Sequence, residues 1–90
     1  MKASDVPRQN PETAARDIDG MTFVMDAETA ELHSFSDVGG RIWELTDGER
    51  TVADIVAAIT AEYEVEPARA EADVIGFLDE LQGKRLVFLP

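Results

Sequence analysis

The chain has 90 residues, no cysteine, and 19 acidic against 8 basic residues, which leaves a net charge of −11 with the histidine neutral. That length supports one small domain and leaves no room for a two-domain enzyme cleft. Without cysteine there is no disulfide framework and no thiolate metal or iron–sulfur site, which fits a reducing cytoplasm; so acidic a surface also repels the phosphates of nucleic acid and of anionic membranes. Hydrophobic residues make up 44% and charged residues 30%, enough apolar mass to fold and too little in any one run for a membrane span.

Residues 1–13 combine two prolines with polar residues and no periodicity, and read as a mobile N-terminal arm ahead of a single domain over residues 14–90. Three short strand candidates follow, at Ala14 to Ile18, Met21 to Asp26 and Thr29 to Ser34. Asp19-Gly20 is a hairpin signal between the first two, because both residues tolerate positive φ. Met21-Thr22-Phe23-Val24-Met25 is rich in β formers, whereas Ala14-Ala15-Arg16-Asp17 is poor in them.

Ser36 is a good N-cap, its hydroxyl able to accept a hydrogen bond from the first turn, and Asp37 follows where the helix dipole favours an anion. Val38, Ile42 and Leu45 then share a face, and Asp47-Gly48 stops the helix. Gly39-Gly40 is unfavourable inside a helix, and close packing of that turn against a neighbour accounts for it. Thr51 caps a second helix with Asp54 in a capping-box position, and Val52, Ile55, Val56, Ile59 and Tyr63 form its stripe. Pro67 opens a third helix, Ala70, Val74, Phe77, Leu78 and Leu81 give its core period, and Gly83 ends it. Leu86 to Leu89 reads as a terminal strand or a tail packed on the core. Strands, three helices and a short last strand predict a winged-helix-like α+β domain.

Catalysis finds no foothold. His33 is the one histidine and has no cysteine to join it, and Asp73 and Glu80 on the third helix are too far apart to share a proton. No glycine-rich loop follows a strand. A small domain without a catalytic set reads as a binding module. A helix wheel puts Ile75 on the border of the third helix's stripe, with Glu71 and Gln82 on the same flank. Either this border meets another helix or the terminal strand, or it forms a groove with a sheet edge that takes up an extended peptide.

The segment Phe35-Ser36-Asp37-Val38-Gly39-Gly40-Arg41-Ile42-Trp43-Glu44-Leu45-Thr46-Asp47-Gly48, then Arg50 to Val56, Glu62 to Val65 and Asp73 to Leu81, resembles the family of pyrroloquinoline quinone biosynthesis protein D. These PqqD-like peptide chaperones are also called RiPP recognition elements, RiPPs being ribosomally synthesised and post-translationally modified peptides. The similarity runs from about residue 20 to residue 88, with Ser36 in place of a common Asn and Arg85 where a Gly is usual. The resemblance implies a three-stranded, three-helix domain that binds the leader of a ribosomally made precursor peptide as an added strand. It then presents that peptide to a modifying enzyme, often a radical S-adenosylmethionine (radical SAM) protein. On this sequence the implied site is the strand Thr29-Ala30-Glu31-Leu32-His33-Ser34, the helix flank Glu71, Ile75 and Gln82, and Leu78 at the groove floor. No cofactor or metal is expected on this chain, since any cluster would belong to the partner. The acidic side chains Glu28, Glu31 and Glu71 favour a leader with Lys or Arg beside an apolar anchor.

Two other readings compete. A subunit that docks on an enzyme without touching the precursor shares every feature above. A winged-helix regulator shares the fold but needs a basic recognition helix, and the second helix has no Lys or Arg while the third has Arg69 against four acids. An open edge strand also permits a homodimer.

Overall fold

A computed structural model describes all residues, 1–90. In chain order the elements are β1 (Arg8–Gln9), β2 (Thr13–Ile18), β3 (Met21–Asp26), β4 (Leu32–Ser36), α1 (Asp37–Leu45), α2 (Val52–Tyr63), α3 (Pro67–Gly83) and β5 (Val87–Phe88). β2, β3 and β4 form an antiparallel sheet with β3 in the centre, and β1 pairs with β5 in a separate two-stranded ladder. The α+β architecture expected from the sequence is the one observed.

Local chemistry explains most boundaries. Asp19 and Gly20 both adopt positive φ, at 51° and 81°, the pairing a two-residue hairpin turn demands. α2 opens with the expected capping box: Asp54 N–H donates to Thr51 Oγ1, and Thr51 N–H donates to Asp54 Oδ2. Ser36 does stand at the N-cap of α1, but its hydroxyl makes no capping hydrogen bond. α1 also ends earlier than Asp47-Gly48, at Leu45: Thr46 leaves helical geometry with ψ 75°, its N–H donating to the Trp43 carbonyl and its hydroxyl to the Ile42 carbonyl at 2.7 Å. Pro67 and Gly83 bound α3 as expected.

Two expectations are corrected. Residues 1–13 are not a free arm. Pro7 and Asn10 are buried, β1 pairs with β5, and the carbonyls of Asp5 and Ala3 accept the Val52 and Ala53 N–H groups at 2.8 and 2.9 Å. These are first-turn donors of α2 that have no partner within the helix, so the arm completes the helix end. Such pairing runs through backbone and leaves no side-chain period to read. Secondly, the strand expected at Thr29 to Ser34 is displaced to Leu32–Ser36. Asp26 makes the turn instead: its side chain accepts the Glu28 N–H, its carbonyl accepts the Ala30 N–H, and Ala30 takes φ 61°.

The core has two joined parts. Ile42, Leu45, Val52, Ile55, Ile59, Val74 and Leu78 hold the helices together, and Val24, Trp43, Leu81, Leu86 and Val87 join the sheet to α3 and β5. Gly40 sits where a Cβ would overlap Thr22 Oγ1 and lie 3.2 Å from Thr22 Cβ, so the glycine lets α1 rest directly on β3. Outside the core Arg41 clips α1 to α2. Its guanidinium donates to Glu62 at 2.8 and 3.0 Å and to Glu44 at 3.0 Å, which raises its own pKa and lowers that of Glu62.

Candidate functional site

β4 is bonded to β3 on one side and to no strand on the other. The register pairs Val24 with His33 and Thr22 with Phe35, and the Asp26 N–H donates to the Glu31 carbonyl at 2.9 Å. Residues opposite one another in an antiparallel pair alternate between bonded and non-bonded sites. Glu31, His33 and Phe35 therefore turn their backbone groups toward β3, and Leu32 and Ser34 turn theirs outward. The open edge offers the N–H and C=O of these two residues to an incoming strand.

Side chains alternate between two faces along the same five residues. His33 and Phe35 share the inner face with the buried Thr22 and Val24, beneath which lie α1 and α3. Phe35 meets Phe77 of α3 edge to face with ring centroids 5.2 Å apart, and Trp43 of α1 at 6.0 Å. Gly39 leaves room for this cluster, since a Cβ there would lie 3.3 Å from both Phe35 Cβ and Phe77 Cζ. Phe35 and Phe77 are half-buried, so the cluster forms an apolar floor that is still reachable. His33 Nε2 lies 3.6 Å from Glu31 Oε2, at the rim.

The α3 residues expected at the groove lie elsewhere. At about 100° per residue, Phe77 and Ile75 are about 160° apart around the helix, and Phe77 is the one that meets β4. Ile75 instead packs on the core formed by α1, α2 and α3. Glu71 lines a separate groove of about 400 Å³ with Val56, Ala57, Thr60 and Pro67, between α2 and α3. Gln82 is exposed on the Ile75 side of the wheel, and Leu78 is fully buried in the core, beneath any groove floor. A wheel fixes angles about one axis and is silent on which side of the stripe the sheet will take. Of the strand residues, Leu32, His33 and Ser34 are in β4, Glu31 adjoins it, and Thr29 and Ala30 belong to the preceding turn.

Phe77, missed as a site residue because it completes the core stripe of α3, has a signal in hindsight. Phe35 and Gly39 are four residues apart across the strand-to-helix junction, and a small residue beside an aromatic one marks a place for a second ring. Charged side chains frame the groove: Glu31 at one end of β4, and on the Phe77 side of α3 the ion pairs of Asp73 with Arg69 at 3.3 Å and of Glu80 with Lys84 at 3.4 Å. Asp47 and Tyr63, two groups with displaced titrations, stand away from the groove. Asp47 is held below the usual carboxylate range by N–H groups of Arg50 and Glu49, and Tyr63 is raised by burial and by Asp37. No three histidine, aspartate or glutamate side chains are grouped to hold a metal ion, and no helix is long and apolar enough to cross a membrane. What the arrangement offers is an edge for backbone pairing above an aromatic floor.

Comparison with known proteins gives the same picture. The family described as Coenzyme PQQ synthesis protein D (PqqD) matches residues 21–87. No curated protein sequence matches the chain. Among solved structures, TbiB1 in complex with the TbiA(beta) leader peptide is 30% identical with a TM-score of 0.82, over 89% of this chain and 93% of that one. A lasso peptide synthetase B1 complexed with its leader peptide shares the fold at TM-score 0.83 and 24% identity, over 92% of this chain and 98% of that one. The solution structure of the PqqD truncation of Methylobacterium extorquens PqqCD, a functional and stand-alone RiPP recognition element, is 27% identical with a TM-score of 0.81. It covers 98% of this chain and 94% of that one.

Proposed function

The chain belongs to the PqqD family, and from that membership we propose that it is a non-catalytic peptide chaperone in the biosynthesis of a peptide-derived natural product. It takes up the leader of a ribosomally made precursor as a strand added along β4 and presents the rest of the precursor to a modifying enzyme in the cytoplasm. The enzyme is of the radical S-adenosylmethionine type and carries that chemistry on its own chain. The observation that supports this reading best is the open edge at Leu32 and Ser34 directly above the Phe35–Phe77 floor. Relatives of the same fold, TbiB1 among them, hold leader peptides.

Strand addition makes a periodic demand on the guest, because only every second guest residue turns its backbone toward the host edge. The test uses peptides selected on the purified chain from a displayed library of random sixteen-residue sequences, then resynthesised with single N-methyl groups. Loss of binding at alternate guest positions, with amide shifts centred on Leu32 to Ser36 and Phe77, is the expected result. An empty selection, or shifts confined to the groove between α2 and α3, would overturn the reading.

A further inference from the structure

The outer face of the sheet, away from α3, carries side chains that the aromatic floor does not use. By register Met25 lies beside Leu32, Phe23 beside Ser34 and Met21 beside Ser36. Leu32 is 60% exposed and Met25 47%, two of the four most exposed large apolar side chains of the chain. A single exposed leucine is ordinary. Leu32, however, is also one of the two residues whose backbone groups face outward along the open edge. Any strand added there must set a residue directly beside it, with Cβ atoms about 4.5–5.5 Å apart. The same added strand that fills the inner groove thus covers Leu32 on the opposite face.

We propose that the guest is read on both faces of the sheet, with Leu32 and Met25 forming a second, outer anchor for one apolar guest side chain. This rests on the strand-addition reading above. The next two positions of β4 on that face are Ser34 and Ser36, with Phe23 and Met21 only half-buried beside them, so the one exposed apolar side chain that β4 itself sets against the guest there falls at the Leu32 end. Glu31 adjoins that position and Glu28 lies in the turn before it, both exposed, so a guest residue flanking the outer anchor meets carboxylates and is best basic. The chemical signature of the guest is an inward apolar or aromatic residue over Phe35 and Phe77, an outward apolar residue at Leu32, and a Lys or Arg flanking the latter. The bound segment therefore carries apolar side chains on both faces and is not an amphipathic strand.

Repeating the selection on Leu32→Asp separates the possibilities. Leu32 is largely exposed, so the variant is expected to melt within a degree or two of the parent chain, and Leu32→Met supplies an apolar control. The expected result is that peptides selected on the parent bind Leu32→Asp at least tenfold more weakly and Leu32→Met within about twofold. Selection on Leu32→Asp should also exchange the outward apolar position for Lys or Arg while keeping the inward residue. If both proteins select the same sequences, with the N-methyl period intact, the outer anchor is overturned and strand addition stands. If neither selects a peptide, both fall together.

Discussion

Ala30 takes φ 61°, and its side chain is exposed, with only its backbone N–H engaged, by the Asp26 carbonyl at 2.8 Å. An L-residue in the left-handed region costs roughly 1–2 kcal/mol, part of which glycine returns through its greater freedom in the unfolded chain. Ala30→Gly is expected to raise stability by about 0.5–1 kcal/mol, or roughly 2–8 °C in midpoint, by thermal or urea unfolding. Unchanged or lower stability would show that the turn prefers another backbone form. Arg85 presents the same conformation, φ 61°, where the family usually has glycine. There the guanidinium lies 6.0 Å from the Phe88 ring centroid, a contact that repays part of the strain. The departure from the family pattern was visible in the sequence; the left-handed backbone behind it was not, because φ is set by the chain's need to turn from α3 into β5.

Helices and strands were legible where side chains carry the period. The α2 capping box, the limits of α3 at Pro67 and Gly83, the β2–β3 hairpin and the close packing at Gly39-Gly40 all follow from residue type and spacing. The flank of α3 that meets the sheet was not legible, because the apolar stripe is nearly symmetric, with Phe77 on one border and Ile75 on the other. The observed packing reverses what a groove residue would do at Ile75. With Ile75 half-buried against the cluster that holds the three helices together, Ile75→Asp places a carboxylate at an apolar contact. It is expected to cost about 2–4 kcal/mol of stability. Peptide affinity of the folded fraction, measured well below the midpoint, should be little changed. Full stability with lost affinity would return Ile75 to the binding surface.

At the scale of the molecule, charge acts before contact. A net −11 on 90 residues surrounds the groove with negative potential, which opposes the approach of a second copy and speeds that of a cationic guest. Screening shortens this reach, the Debye length being about 10 Å at 0.1 M salt. Raising sodium chloride from about 0.05 M to about 0.5 M is therefore expected to weaken a Lys-bearing guest, chiefly through a slower association rate, and to strengthen its Glu-substituted counterpart. Equal salt response of the two peptides would show that the surface charge serves solubility alone. The ladder of β1 with β5, Arg8 opposite Phe88 and Gln9 opposite Val87, ties the segment ahead of the sheet to the segment after α3, on strands separate from the sheet that carries β4. A glycine-rich bridge from Pro90 to Met1, whose amine is paired with Asp79 of α3, together with fresh ends cut at the Asp19-Gly20 hairpin, would give a circular permutant that keeps the β4 edge.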